Sequence, residues 1–176
     1  MADSPATSSA VLNAAPIINQ HLGGWNVAMG LSFVTATADL IVGEVVIGPQ
    51  HLQPYGIVHG GVHCGIIEAA CSTGAAVYAS AAGQSVVGLE NSTSFLRACR
   101  GGKLTVTAKP LTRGRRSQVW EAVVTDESGK AVASGRVRLM CLEPGAAIAG
   151  SEAKIEAKTD AKTDAKTDAK PDAKST

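Results

Sequence analysis

The segment QPYGIVHGGVHCGIIEAACSTGAAVY, Gln53 to Tyr78, brings together at short spacing the residue types that acyl chemistry requires. Glu68 is its one acid, set among the small residues Gly65, Ala69, Ala70, Cys71, Ser72, Gly74, Ala75 and Ala76. Periodicity allows Glu68 either an exposed stripe or a thinly solvated position, and a thinly solvated carboxylate is a better base or nucleophile than one in water. Ser72 follows one helical turn later on the same face, and His59-Gly60-Gly61 stands where a helix would begin, with backbone N–H groups that no earlier turn can use. A base, a hydroxyl and an anion-stabilising corner thus fall in one stretch, a set suited to attack on a carbonyl whose oxygen gains negative charge.

Such groups need a scaffold, and the surrounding text supplies one. Pro54 and Gly56 mark a turn, the glycine pair opens a helix, and the helix closes before Gly83. Asn26 to Ile47 is β-branched and alternating, broken near Ala38-Asp39, and reads as two strands. Ser85–Arg97, Lys103–Leu111, Ser117–Asp126 and Ala131–Leu142 read as four more, separated by RGG, TRGRR and DESGK. Two strands, one long helix and four strands make an α+β chain in which an antiparallel sheet wraps around one central helix. One face and one edge of that sheet stay poorly covered, which a second copy would remedy.

The expected domain spans residues 17–143, with a short helix from Ile17 to Leu22. Residues 1–16, rich in Ala, Ser and Pro, are expected to form a mobile arm. Residues 144–176, with their Ala-Lys-Thr-Asp repeat, are expected to be disordered: helical winding would stack Lys on Lys and Asp on Asp at i,i+4.

Composition narrows the function. A net charge of +1 argues against a general nucleic-acid binder, and no apolar run reaches the length of a membrane span. Four scattered cysteines do not make a disulfide framework, so they are read as reduced and the protein as cytoplasmic. The charge is unevenly placed, however. Seven Lys and Arg residues lie from Arg97 to Arg116, with no acid from Asn91 to Trp120, a pattern that makes either a solvated basic face or a dock for a small polyanion. His63 and Cys64 lack the partners of a metal site, His21 and His51 read as surface or loop residues, and Trp120 and Cys71 read as core.

Four blocks, QPYGIVHGGVHCGIIEAACSTGA, SVVGLENSTSFLRA, KPLTRGRRSQVW and ASGRVRL, together resemble the hotdog-fold acyl-CoA thioesterases of the phenylacetate-pathway and Arthrobacter-type 4-hydroxybenzoyl-CoA group. The resemblance implies hydrolysis of an aryl- or fatty-acyl-CoA to free acid and CoA, with no cofactor and no metal. Glu68 matches the catalytic carboxylate, which attacks the thioester carbon or activates water. Gln53 and His59 match residues flanking the carbonyl, Gly60 the backbone donor to its oxygen, and Ser72 a hydroxyl that helps hold the nucleophile or water. Arg115 and Arg116 fall where the family's turn meets the nucleotide of CoA, with Arg97 and Ser117 as weaker candidates, and Gly88 is expected beside the pantetheine arm. In this family the pocket is completed by a neighbouring subunit, implying a homodimer or a dimer-of-dimers homotetramer.

Phe95 stands where some relatives place a His beside a hydroxylated aromatic acyl group, and favours an apolar chain or plain ring. Two rival activities are a hotdog dehydratase or hydratase and a non-catalytic acyl-CoA-binding protein. The characteristic loops of the first are absent, and the second has no use for Glu68.

Overall fold

The alternation of the sequence becomes six antiparallel strands in the computed structural model, which describes residues 12–148 and 151–152. The strands are β1 (Ser32–Ala36), β2 (Ile41–Ile47), β3 (Ser85–Phe95), β4 (Gly102–Arg113), β5 (Ser117–Thr125) and β6 (Ala131–Leu142). They lie in the order β1-β2-β4-β5-β6-β3, so β1 and β3 are the edges. The long helix α3 (Gly60–Ser80) sits in the sheet's concave face, as the sequence predicts.

Strand alternation sends Leu104, Val106 and Ala108 from β4, Trp120, Ala122 and Val124 from β5, and Val137 and Leu139 from β6 into one core. α3 meets them with Ile66, Ile67, Ala70, Cys71 and Ala75, and its small residues allow close approach. Gly74 is the extreme case: a Cβ there would stand 2.4 Å from Cζ3 of Trp120. That ring cannot easily retreat. It is fully buried, its Nε1 donates to Gln118 Oε1 at 2.9 Å, and Gln118 Nε2 donates to the Ala75 carbonyl at 3.2 Å. Gly74→Ala is therefore expected to lower the unfolding free energy by about 1–3 kcal/mol through overpacking, read by urea melts.

Three expectations about the periphery need correction. The stretch from Asn26 does not start as a strand: Gly24–Ala28 forms a short helix, α2, and β1 begins only at Ser32. A helical turn places Trp25 and Met29 four residues apart against Gly65 of α3, where a Cβ would lie 2.5 Å from the Trp25 indole nitrogen and 2.9 Å from the Met29 sulfur. Burying Met29 outweighs the β propensity of the text around it.

The arm expected to run to residue 16 is docked by Asn13. Asn13 Oδ1 accepts from the Ala15 and Ala36 amides, and its Nδ2 donates to the Val34 carbonyl. This fixes helix α1 (Ala15–Gln20) against β1, while residues 1–11 lie outside the described residues. At the other end, residues expected to be disordered from 144 onward begin with a turn at Gly145 (φ 76°) and a two-stranded ribbon, β7 (Ala147–Ile148) with β8 (Ser151–Glu152). Residues from 153 lie outside the described residues. Among the described residues no helix is long and apolar enough to cross a membrane.

Candidate active site

α3 begins at a built corner. His59 is its N-cap and accepts the Gly61 N–H at Nδ1, 2.8 Å away, while the His59 carbonyl takes the Val62 N–H. With Nδ1 accepting, the neutral ring carries its proton on Nε2. Gly60 N–H is left without a hydrogen-bond partner among the described residues, at the positive end of a 21-residue helix.

The loop before the corner is tied down from several directions. His59 N–H donates to the His51 carbonyl, Val58 N–H to the Cys99 carbonyl, and Arg100 to the carbonyls of Tyr55 and Gly56. His51, read as a surface or loop residue, lies in the loop but is buried: its Nδ1 accepts the Gly48 N–H at 2.8 Å and its Nε2 reaches the Met29 carbonyl at 3.1 Å. It joins α2 to the active loop.

Gln53 and Gly60 line one cavity of about 320 Å³, together with Ile57, Val58, His63, Phe95, Leu96, Arg97 and Ala98. Gln53 Oε1 accepts the Tyr55 N–H at 3.1 Å, which leaves its NH2 group to donate. The Phe95 ring lies directly on Gly60, since a Cβ there would come within 2.7 Å of its Cζ.

Glu68 does not line that cavity. It lies half-buried farther along α3, its Oε1 accepting from Ser72 Oγ at 3.2 Å and its Oε2 from Asn91 Nδ2 at 2.9 Å. The same Asn91 amide reaches the Cys64 carbonyl at 3.1 Å, and Thr93 Oγ1 donates to Asn91 Oδ1 at 2.7 Å. Gly88 leaves the carboxylate its room: a Cβ there would be 2.7 Å from Glu68 Oε1. The close approach that Gly88 permits is thus to Glu68.

A β-bulge explains why Asn91 arrives here. Gly88 pairs with Leu139 but Glu90 pairs with Arg138, so Leu89 is the extra residue. Strict alternation from Gly88 would turn Glu90, Ser92 and Ser94 toward α3; the bulge turns Asn91, Thr93 and Phe95 there instead. Asn91 and Thr93 were not expected from the sequence. An amide in the middle of a strand, where Asn is disfavoured, is the only signal that could have found them.

The remaining expected positions fall elsewhere. Arg115 lines a separate cavity of about 490 Å³ with Tyr78, Gln84 and Arg113, at the turn between β4 and β5 that Arg116 and Ser117 share. Arg97 belongs to the Gln53 cavity, so the structure does not group it with Arg115. Part of the basic cluster is already paired: Lys103 with Glu44, Arg113 with Asp39, and Arg115 with Glu143 at 3.1 Å in an exposed pair. Burial, with Glu68 and then Glu121 adding to it, pushes the Cys71 thiol up to about 12, so this core cysteine stays protonated. Among the described residues no three His, Cys, Asp or Glu side chains converge as metal ligands would.

A six-stranded antiparallel sheet wrapped around one long central helix is the hotdog fold. Residues 55–133 match the family model of the thioesterase superfamily. The Mycobacterium tuberculosis esterase candidate Rv1847 is 41% identical over 117 residues, covering 65% of this chain and 84% of that protein. Its solved structure matches with a TM-score of 0.67 at 40% identity, over 68% of this chain and 96% of that one. The proofreading thioesterase EntH of Cronobacter turicensis is 33% identical, covering 62% of this chain and 79% of EntH. The thioesterase HI1161 of Haemophilus influenzae matches with a TM-score of 0.69 at 28% identity, over 73% and 90% of the two chains. The chain belongs to the thioesterase superfamily, and it is a thioester hydrolase of hotdog fold.

Proposed function

We propose that this protein hydrolyses acyl-CoA thioesters at a site assembled from two copies of the chain, with Glu68 of one copy acting on a carbonyl held by the Gly60 corner of the other. One observation carries the two-copy reading. Gly60 and Glu68 are eight residues apart on one straight element, and at 1.5 Å per residue they are separated by about 12 Å. A carbonyl group is far too short to meet both within one chain.

The edge of the sheet supports the same reading. β3 leaves one side unpaired and exposes Leu89 and Phe95, with Leu96 just past its end; the three are 48%, 59% and 54% accessible. A second copy docked along this edge would bury them and bring each Glu68 toward the other copy's corner. Val46, Val123 and Met140, exposed on the outward face of the sheet, offer a surface on which two such dimers would pair.

In this assembly Gly60 N–H, the Gln53 amide and His59 Nε2–H donate to the thioester carbonyl oxygen. Charge that develops there meets donors already in place, with no reorganisation required. Glu68 then either attacks the carbonyl carbon, so that CoA leaves as the thiolate and water afterwards cleaves the acyl–Glu68 anhydride to the free acid, or takes a proton from a water that attacks and expels the same thiolate. Asn91 and Ser72 hold the carboxylate in one rotamer. Asn91→Ala is expected to lower kcat about tenfold, the weight of one hydrogen bond to a charged group, with KM little changed in steady-state assays.

Arg115 and Arg116, at an exposed turn beside a cavity, are assigned to the phosphates of CoA. Replacing both with Ala is expected to raise KM for acyl-CoA about tenfold through lost charge-assisted contacts. The corresponding acyl-pantetheine, which lacks the nucleotide, should show no such rise.

The acyl cavity, at about 320 Å³, sits at the small end of the roughly 300–1,000 Å³ range of ligand sites. It suits a single ring or a short chain. Four free cysteines fit action in a reducing cytoplasm. A panel of aryl-, short-, medium- and long-acyl-CoA thioesters with a free-thiol readout tests the proposal. Turnover concentrated in the aryl and short members is expected, and no thiol release from any member would overturn it.

A further inference from the structure

We propose that Thr93 is a positioning residue for the reaction: its hydroxyl anchors the Asn91 amide, whose other end holds the Glu68 carboxylate. This rests on the reading of Glu68 as the reacting group. Thr93 and Asn91 stand two apart on β3, beyond the bulge, and so share the face turned toward α3. Thr93 Oγ1 donates to Asn91 Oδ1 at 2.7 Å, while Asn91 Nδ2 donates to Glu68 Oε2 at 2.9 Å and to the Cys64 carbonyl at 3.1 Å. Among the described residues Thr93 makes no hydrogen bond to Glu68 itself, so it acts through Asn91.

The two ends of an amide are alike in shape and opposite in polarity, so their partners decide which end faces the acid. The Cys64 carbonyl and the Glu68 carboxylate can only accept. With the amide turned over, Oδ1 would face both of them, and three acceptors would meet with no proton between them. As found, both N–H groups are used, and Oδ1 is left in need of a donor. Thr93 supplies it. The anchor matters because Asn91 is exposed, so packing does little to fix its side chain and these hydrogen bonds keep the amide in place. Thr93 suits the task, since a β-branched side chain has few rotamers to choose from. The sheet also clears room for it: Gly135 of β6 pairs directly with Thr93, and a Cβ there would stand 2.8 Å from Thr93 Oγ1. A glycine thus opens space at each end of the line Thr93–Asn91–Glu68, Gly135 for the hydroxyl and Gly88 for the carboxylate.

The test is a double-mutant cycle on kcat, with the fastest-hydrolysed member of the acyl-CoA panel as substrate. Thr93→Val keeps the shape and the β propensity and removes the hydroxyl; it is expected to lower kcat about fivefold, the weight of one neutral hydrogen bond, with KM unchanged. Thr93→Ala should match it, and Thr93→Ser, which keeps the donor, should restore most of the natural kcat. In a chain already carrying Asn91→Ala, Thr93→Val should change kcat by less than about twofold, because the amide through which it acts is gone. A kcat for both Thr93→Val and Thr93→Ala within about twofold of the natural value would overturn the proposal. So would a loss that recurs undiminished in the Asn91→Ala chain, or one carried by KM instead of kcat. Any of these results alongside thiol release by the natural protein leaves the hydrolase reading intact; no thiol release from any acyl-CoA sinks both.

Discussion

Glu68→Gln is expected to lower kcat on acyl-CoA by about a thousandfold or more while leaving the melting temperature and oligomer size unchanged. The separation of the two effects follows from the surroundings of the side chain. Among the described residues Glu68 has no cationic partner, and Ser72 and Asn91 hold it by hydrogen bonds that reach one oxygen each. A carboxamide has nearly the same shape and can still accept from one of the two, so the fold loses little. It cannot attack a thioester carbon, however, and it cannot take a proton from water. Turnover within tenfold of the natural protein would show that the carboxylate is not the reacting group. A large drop in melting temperature would show instead that its main work is structural.

How much of this was visible in the sequence depends on the kind of interaction. β4 and β5 are legible because Leu104, Val106, Ala108 and Trp120, Ala122, Val124 alternate strictly, and burial follows that alternation residue by residue. α3 is legible from its glycine start and its length, and Trp120 from the alternation of its strand. His51 is not, because nothing in Pro49-Gln50-His51 separates a loop histidine from one that ties a 3-10 turn to Met29. Asn91 is hidden for a different reason. The run Glu90-Asn91-Ser92-Thr93-Ser94 is uniformly polar, so its facing depends on a bulge that no hydrophobic pattern records. α2 was missed because the reward for its helical turn lies forty residues away, at Gly65.

The spacing of the site was in the sequence all along, but its meaning was not. Gln53, His59, Gly60 and Glu68 stand close in the text, which suggests one constellation. Helical rise turns that closeness into separation, and of the four only Gln53 and Gly60 line the acyl cavity.

That separation leads to the strongest expected result for the assembly. Two defective chains are made, one carrying Glu68→Gln and the other carrying Gln53→Ala with His59→Asn. Asn at the cap position can still accept the Gly61 N–H, so α3 keeps its start while the Nε2 donor is lost. Each chain alone forms dimers in which every site has one broken half, and each is expected to be nearly inactive. When the two are unfolded together and refolded in equal amounts, half of the dimers are mixed. A mixed dimer has one site with both defects and one with neither, so about a quarter of the natural activity should return. A site contained within one chain has no such route, because no pairing of these chains supplies an intact Glu68 and an intact corner on the same helix. Activity that stays at the level of the separate variants, with mixed dimers shown to be present, would place the whole reaction inside one subunit.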